Sequence, residues 1–263
     1  MVKLAVGVFL SCFTTFMNAA VVGEEVSYRD GETQMKGYLA YDEALSGKRP
    51  GILVVHEWWG HNDYARSRAR ALAEMGYTAL AVDMYGDGKT ADHPKDAGRF
   101  AGEVKNNMAQ AQARFEAAMA LLKAQDTVAP DEISAIGYCF GGGIVLEMAR
   151  RGVDLDLVGS FHGSLAPSEP AQKDIVKAEL LVFNGGADPF VKPEQISAFK
   201  EEMDQAGVTY HFYDYPGAKH AFTNPGATQL GEKFGLPLAY QKEADEQSWA
   251  VFSDALKRVY GSN

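Results

Sequence analysis

Short apolar segments alternate with longer helical segments over most of this chain of 263 residues. The run Ile-Leu-Val-Val at 52–55 carries no polar side chain, which is typical of a strand buried on both faces of a sheet. Strands are predicted at 26–28, 34–41, 52–55, 78–82, 132–136, 157–161, 180–184 and 209–215. Helices are predicted at 62–75, within an alanine-rich region 94–125 that is broken into two, and at 144–150, 193–206 and 245–260. Such alternation predicts an α/β fold with a mainly parallel sheet and helices on both faces.

The first two predicted strands flank Asp30-Gly31, a dipeptide typical of tight hairpin turns, so we expect an N-terminal antiparallel hairpin. No linker, internal repeat or low-complexity tract divides the remainder, and a chain of this length can form one large α/β domain. We therefore predict a single domain over 21–263.

The first twenty residues differ from the rest in composition. Lys3 gives a positive start, 4–17 is apolar and uncharged, and Asn18-Ala19-Ala20 offers small residues for cleavage. This pattern is typical of a secretory signal peptide, and its apolar stretch is short for a membrane span. We expect residues 1–20 to be a signal peptide, the mature protein to be periplasmic or secreted, and no membrane span to remain after cleavage.

Net charge and cysteine content limit which partners the protein can bind and which disulfides it can form. The 25 Lys and Arg against 35 Asp and Glu give a formal net charge of −10, which argues against nucleic acids or anionic membrane surfaces as partners. The two cysteines are Cys12, inside the predicted signal peptide, and Cys139. The mature protein would then hold one thiol and no internal disulfide. A lone thiol in an oxidising compartment is a liability, so we expect Cys139 to be kept for its reactivity.

Cys139 lies at the centre of Gly-Tyr-Cys-Phe-Gly-Gly-Gly at 137–143, between a predicted strand and a predicted helix. A sharp strand–turn–helix strains the backbone of its central residue and raises that side chain above the sheet, while the flanking glycines allow the helix to approach the strand. The helix N-terminus beneath the sulfur favours the thiolate. A glycine-rich turn that merely holds a small buried cysteine is the alternative, but the context favours a nucleophile elbow.

Two other reactive side chains follow predicted strands. Asp188 comes shortly after the strand at 180–184, and His220 follows the strand at 209–215. Parallel sheets place their sites at the carboxyl ends of the strands, and the order Cys139, Asp188, His220 matches nucleophile, acid and base in α/β-hydrolases. His220 would take the thiol proton and later activate water, while Asp188 orients the ring. Taken singly, each could be an ordinary loop residue; their joint order favours catalysis.

The segment His-Glu-Trp-Trp-Gly-His at 56–61 invites comparison with a helical zinc motif. Its histidines are five residues apart rather than four, and the segment follows a strand, so the two side chains would not share one helical face. We therefore expect neither a metal nor another cofactor.

These motifs together resemble the dienelactone hydrolase family, the cysteine members of the α/β-hydrolase fold, from about residue 25 to the C-terminal helix. The resemblance rests on Glu-x-x-Gly at 57–60, Asp-x-Tyr at 83–85, Gly-Tyr-Cys-x-Gly-Gly at 137–142, the Asp188 loop and Gly-x-x-His at 217–220. It implies a hydrolase with the nucleophile, acid and base given above.

The resemblance also implies roles for neighbouring groups. Glu57 would match the family's glutamate that contacts the resting thiol and helps to form the thiolate when substrate arrives; a salt-bridged strand-end carboxylate is the alternative. The backbone N–H groups of Trp58 and Phe140 would form the oxyanion hole. Three nearby aromatic residues are candidate substrate-binding residues, although such residues serve as often in plain packing: Trp59, Tyr85 and Phe222.

Two positions depart from the family pattern. Members that open the acidic dienelactone ring hold its carboxylate with two arginines, and the matching positions here are Asp87 and Asn224. Losing both bidentate clamps removes the basis for selecting a carboxylate, so a neutral ester or lactone is the expected small-molecule substrate. His162 ends the strand at 157–161 and is expected to be structural.

The leading hypothesis is an exported hydrolase that cleaves an ester or lactone through a Cys139 thioester. A thioesterase or acyltransferase with the same triad is a second enzyme hypothesis. A ligand-binding protein or a thiol sensor on the same scaffold is a third, although a sensor would normally need a resolving cysteine. We expect a monomer, with a dimer left open.

Overall fold

One eight-stranded sheet runs through residues 20–261, which a computed structural model describes. The strands are β1 (Val21–Asp30), β2 (Thr33–Asp42), β3 (Arg49–Val55), β4 (Thr78–Val82), β5 (Val128–Tyr138), β6 (Leu157–Phe161), β7 (Glu179–Gly185) and β8 (Tyr210–Tyr215). The helices are α1 (Asp63–Glu74), α2 (Pro94–Lys105), α3 (Met108–Lys123), α4 (Phe140–Arg150), α5 (Pro193–Ala206), α6 (Ala227–Phe234) and α7 (Lys242–Tyr260).

The strand order is β1-β2-β4-β3-β5-β6-β7-β8. β1 and β2 form an antiparallel hairpin and β2 runs antiparallel to β4, whereas every pair from β4 through β3 to β8 is parallel. This arrangement confirms the predicted single-domain α/β-hydrolase fold, and it brings the carboxyl ends of β3, β5, β7 and β8 to the same edge of the sheet.

The sheet separates two hydrophobic cores. Because side chains alternate along a strand, Leu53 and Val55 of β3 enter one core while Ile52 and Val54 enter the other, and all four are fully buried. Buried faces of α2, α3, α4 and α5 complete the first core, and α1 and α7 complete the second. The apolar run at 52–55 is thus covered on both faces, as its composition predicts.

Helix ends mostly follow their sequence signals. The Asn62 side chain caps α1, and the Asn107 side chain caps α3 at the break in the alanine-rich region. α7 begins three residues before the predicted position 245, and α6 was not predicted at all. α6 is eight residues long and contains Gly231, a poor helix former, so its sequence carries little helical signal.

The predicted signal peptide, apart from Ala20, lies outside the described residues. Within 20–261, no helix combines the length and the apolar character needed to cross a lipid bilayer.

Candidate active site

A strained turn holds Cys139 between β5 and α4. Its backbone has φ 53° and ψ −112°, a conformation that costs a non-glycine residue about 1–3 kcal/mol. Two close approaches surround it: a Cβ on Gly137 would lie 2.1 Å from the Gly141 oxygen, and one on Gly141 would lie 2.3 Å from the Val55 oxygen. Glycine is therefore required at both positions, and the geometry is that of the nucleophile elbow expected from the sequence.

His162 supports this turn from the neighbouring strand. The Cys139 N–H is shared between the Phe161 carbonyl oxygen at 3.0 Å and His162 Nδ1 at 3.1 Å. Because Nδ1 accepts, the ring proton is on Nε2, which lies 2.7 Å from Thr223 Oγ1. Burial, aided by the charges of His220 and Arg68, holds the pKa of His162 well below its usual value, so the ring stays neutral. This histidine is structural, and its partner is the strained backbone itself.

Asp188 and His220 form a buried pair beside the thiol. The two residues follow β7 and β8, and His220 Nδ1 lies 2.7 Å from Asp188 Oδ2. The Phe190 N–H donates to the other carboxylate oxygen at 2.8 Å, which fixes the carboxylate. Burial lowers the pKa of His220, but negative charge on the Cys139 sulfur and the bond to Asp188 outweigh it and raise that pKa to about 10. The structure thus brings the three predicted residues together at the sheet edge.

Glu57 is a buried carboxyl group at the end of β3. Burial raises its pKa to about 7, although the Asn224 hydrogen bond and the charges of His220 and Arg68 oppose this rise. Its Oε2 accepts from Asn224 Nδ2 at 2.6 Å, and its Oε1 is buried without a hydrogen-bond partner within the described chain. Over the same residues, no hydrogen bond joins Glu57 to Cys139. The hydrogen-bond partner of the Glu57 carboxyl group is therefore the side-chain amide of Asn224, one of the two positions at which the sequence departs from the family pattern.

His56 fixes the direction of the Trp58 N–H. The Met84 N–H donates to His56 Nε2 at 3.3 Å, so the ring proton is on Nδ1 and is donated to the Glu57 carbonyl oxygen. The Gly60 N–H donates to the same oxygen at 3.1 Å. In a trans peptide the carbonyl and the following N–H point in opposite directions, so holding the Glu57 oxygen aims the Trp58 N–H the other way.

The two predicted oxyanion donors are backbone N–H groups at the ends of β3 and β5. Neither the Trp58 N–H nor the Phe140 N–H donates a backbone hydrogen bond within residues 20–261. Phe140 is the first residue of α4, where an N–H has no partner inside the helix. Trp58, Phe140 and Cys139 line one cavity, and two N–H donors without a partner among the described residues are the groups that can stabilise charge developing on a carbonyl oxygen there.

Cys139 and His220 open into a cavity of about 300 Å³. Its wall is mainly apolar and comes from segments far apart in the chain, including Trp58, Phe140, Phe190, Val191, Leu236 and Leu238. Sequence reasoning missed the last four of these. Leu238 is tied to the His220 loop by a backbone bridge, and Phe190 places its ring 5.0 Å from that of His220. Lys105 lines the cavity with an exposed side chain.

The three aromatic residues predicted to bind substrate lie behind this wall. Trp59 is 5% exposed and packs on Trp58, Tyr85 is 5% exposed and donates to the Trp58 carbonyl oxygen at 2.9 Å, and Phe222 is fully buried. None of them lines the cavity. Trp59 and Tyr85 contact Trp58, which does line it, and Phe222 lies in the loop that carries His220. Asp87 is exposed, and its carboxylate lies 3.6 Å from Lys89 Nζ.

His56 and His61, the histidines of the zinc-like segment, are both buried. Burial lowers the pKa of His61 to about 4. Among residues 20–261, no three His, Cys, Asp or Glu side chains are grouped so that they could hold a metal ion.

Comparisons with known proteins identify one family. A model described as the dienelactone hydrolase family matches residues 35–260. The chain is similar to protein usf of Aquifex pyrophilus, with 28% identity over 208 residues, 77% of this chain and 88% of that protein. It is also similar to an Aquifex aeolicus protein provisionally named carboxymethylenebutenolidase, with 26% identity over the same shares of the two chains.

Solved structures show the same likeness. The crystal structure of P91, a dienelactone hydrolase-like promiscuous phosphotriesterase from metagenomic libraries, superposes with a TM-score of 0.87. The two sequences are 34% identical, and the match covers 92% of this chain and all of that one. A dienelactone hydrolase homologue from Klebsiella pneumoniae, at 23% identity and a TM-score of 0.75, shares the fold.

Proposed function

The chain belongs to the dienelactone hydrolase family and is a hydrolase, and on that premise we propose that it cleaves a neutral carboxylic ester or lactone through a thioester on Cys139. One observation carries the proposal: the strained cysteine, the Asp188–His220 pair and two unpaired N–H donors lie at one mainly apolar cavity. We further propose, from the composition of residues 1–20, that the protein is exported to the periplasm or beyond.

The first half of the reaction forms the thioester. The Cys139 sulfur, its proton passed to His220, attacks the carbonyl carbon, and the carbonyl oxygen takes up negative charge. The Trp58 and Phe140 N–H groups stabilise that charge. When the tetrahedral intermediate collapses, the bond from carbon to the ester oxygen breaks, and the leaving alcohol takes the proton from His220 Nε2. Asp188 keeps the ring oriented because it accepts from Nδ1 throughout.

The second half releases the acid. Water enters the cavity and gives a proton to His220 as its oxygen attacks the thioester carbon. The bond from carbon to sulfur breaks, the carboxylic acid leaves, and Cys139 returns to its starting state. A lactone follows the same course, except that the alcohol stays attached to the acyl chain.

The charges around the cavity favour a neutral substrate. Asp87 and Asn224 occupy the two positions where a carboxylate clamp would need arginine, and Asn224 is bonded to Glu57. Apart from His220, the cationic side chain on the wall within residues 20–261 is Lys105, which is exposed and therefore hydrated. A buried substrate carboxylate would lack the paired hydrogen bonds that offset its desolvation.

Hydrolysis of p-nitrophenyl butyrate by the purified protein tests the proposal. We expect turnover, complete loss of activity after iodoacetamide treatment, and a rapid-quench mass increase of one butyryl group on the peptide that contains Cys139. The increase should disappear with hydroxylamine, which cleaves thioesters. Turnover that survives full alkylation of Cys139 would contradict the thioester route, and transfer of the butyryl group to added alcohols faster than to water would favour the acyltransferase alternative.

A neutral phosphotriester is a second candidate substrate, favoured by the likeness to P91 and by the mainly apolar wall. The sulfur would attack phosphorus and expel the aryloxide, which takes the proton from His220, while the same two N–H donors hold the phosphoryl oxygen. Water that gives its proton to His220 would then attack phosphorus, break the sulfur–phosphorus bond and release the phosphodiester. Paraoxon hydrolysis measured beside p-nitrophenyl butyrate distinguishes the two: the higher kcat/KM identifies the preferred class.

Replacing His56 with phenylalanine should lower kcat about tenfold with little change in KM. The ring volume stays similar, but the bond that aims the Trp58 N–H is lost, and an oxyanion donor acts on the transition state more than on bound substrate. His56→Gln, which can both donate to Glu57 and accept from Met84, should restore most of the rate.

His61→Phe is the matched control, since this buried histidine makes no side-chain hydrogen bond at Nε2 within the described residues. It should leave kcat within about twofold of the original value, as substitutions away from the reacting groups usually do. An equal fall in kcat for His56→Phe and His61→Phe would mean that His56 contributes only to packing.

A further inference from the structure

A second cavity adjoins the one that contains the sulfur. It has a volume of about 200 Å³, and Lys105 and Ser164 line both cavities. Most of its remaining wall is apolar, from Met108 at the start of α3, Gly143 and Ile144 in α4, and the loop residues Ala166 and Pro167. The second cavity is therefore a mainly apolar space adjacent to the active-site cavity, and the two share a boundary at Lys105 and Ser164.

The carboxylate in the wall of this second cavity is already paired. Glu147 reaches its wall, but its carboxylate lies 3.2 Å from Arg150 NH1 and accepts from the Ser168 N–H at 3.0 Å. The Ser168 hydroxyl also donates to it. Lys105 is exposed, and long cationic side chains commonly keep the charged end in water while the alkyl stem covers apolar surface. Among the side chains of the described chain that line this cavity, no free buried charge opposes an apolar occupant.

Gly143 keeps this second cavity open although nothing in the fold requires glycine there. A Cβ on the preceding Gly142 would lie 2.8 Å from the Gly163 Cα, whereas one on Gly143 would have its nearest neighbour, Ser164 Cβ, at an ordinary 3.5 Å. The φ of Gly143 is not in the left-handed region. Apart from proline, glycine is the poorest helix former, yet it occupies the first turn of α4. A longer side chain at this position would pass Ser164 and enter the cavity.

We propose that the second cavity is a subsite for the extended hydrocarbon chain of the ester, so that the natural substrates carry a medium-length apolar chain. This inference rests on the proposed function at Cys139. A cavity of about 150 Å³ can hold a benzene molecule, so the second cavity holds roughly six carbon atoms beyond those in the first. The chain comes from the acyl or the alcohol side of the ester, and separate substrate series distinguish them.

Two substrate series measured with the purified protein test the inference. One holds p-nitrophenol constant and lengthens the acyl group from acetyl to dodecanoyl; the other holds butyrate constant and lengthens the alcohol from methyl to octyl. We expect kcat/KM in one series to rise about fourfold per methylene beyond four carbons, from about 0.8 kcal/mol per buried CH₂, and then to level off. The other series should be flat. No rise in either series would overturn the subsite.

Variants that fill the cavity give the second test. Gly143→Leu and Met108→Trp fill it from opposite walls, and each should lower the ratio of kcat/KM for the eight-carbon substrate to that for the four-carbon substrate at least tenfold. Gly98→Leu is the matched control: it makes the same change in α2, where a Cβ meets nothing within 4 Å and the residue lines neither cavity. Its ratio should equal that of the original protein.

The two proposals fail in different ways. Suppose that the protein cleaves p-nitrophenyl butyrate and that iodoacetamide abolishes this cleavage. If both filling variants then keep the original dependence of kcat/KM on chain length, the subsite is wrong and the thioester mechanism stands. If short and long esters are all left intact by the unsubstituted protein, the proposed function fails, and the subsite fails with it.

Discussion

Replacing Cys139 with alanine is expected to lower kcat/KM for p-nitrophenyl butyrate by about a millionfold, the scale seen when a catalytic nucleophile is removed. Alanine keeps the Cβ and tolerates the backbone at φ 53° about as poorly as cysteine, so folding should change little. The Asp188–His220 pair and the two N–H donors remain, but no atom is left to form the covalent bond. Steady-state kinetics with protein prepared from an esterase-deficient host measures the loss.

The same variant should change the titration of His220. Burial lowers the pKa of this ring, and the charge on the Cys139 sulfur is the largest of the effects that raise it to about 10. In Cys139→Ala that charge is gone, so the His220 pKa should fall well below 10 while the Asp188 bond persists. An NMR titration of the ring measures this independently of contaminating activity. A His220 pKa unchanged by the substitution would mean that the thiol and the imidazole are not paired.

The placement of Cys139, Asp188 and His220 at one sheet edge could be predicted because it follows from topology. In a parallel sheet the residues that come directly after neighbouring strands meet at one edge however far apart they are in the chain. Cys139, Asp188 and His220 each follow a strand that alternation alone identifies, and the glycines around Cys139 mark the close approach of helix and strand. Local signals therefore sufficed for the sheet, for most helices and for the three reactive side chains.

The cavity wall could not be predicted in this way. Leu236 and Leu238 follow α6, in which Gly231 weakens the helical signal of the sequence. This glycine is required by a tertiary contact, because a Cβ there would lie 2.4 Å from the Leu238 oxygen. Trp59, Tyr85 and Phe222 stand beside motif residues in the sequence, yet they lie in the layer behind the wall. Adjacency to a motif indicates which residues are near a site, but not which way their side chains face.

The Glu57 carboxyl group shows how substitutions at remote positions can alter a family site. In the resemblance this carboxylate acts on the thiol when substrate arrives, and arginine occupies the position of Asn224. Here the neutral Asn224 amide holds Oε2 at 2.6 Å, so no full positive charge touches the carboxylate. Desolvation then prevails and raises the pKa of Glu57 to about 7. The charge of Glu57 would then depend on the pH near neutrality. It would not depend on the binding of a substrate carboxylate.

Glu57→Gln should therefore stabilise the protein above pH 7 and leave it unchanged near pH 4. The carboxyl group binds its proton more tightly in the folded state, with a pKa of about 7, than at its ordinary value of 4.5. In the original protein, Glu57 consequently makes its full contribution to the free energy of unfolding below pH 4.5, and this contribution is lost as the pH rises through 7. Over this interval the loss is about 3 kcal/mol, at 1.36 kcal/mol per pKa unit, and glutamine, which stays neutral, does not incur it.

Urea unfolding at pH 4, 5, 6, 7 and 8 in the presence of a reductant measures this difference. The gap between variant and original protein should open between pH 5 and 7 and stay constant above. Glu246→Gln provides the control, since this carboxylate is largely exposed beside Lys242 and its loss should change stability by less than about 0.5 kcal/mol at every pH. A gap for Glu57→Gln that is the same at pH 4 and pH 8 would mean that Glu57 has the same pKa in the folded and unfolded states, and that some group other than Asn224 offsets its buried charge.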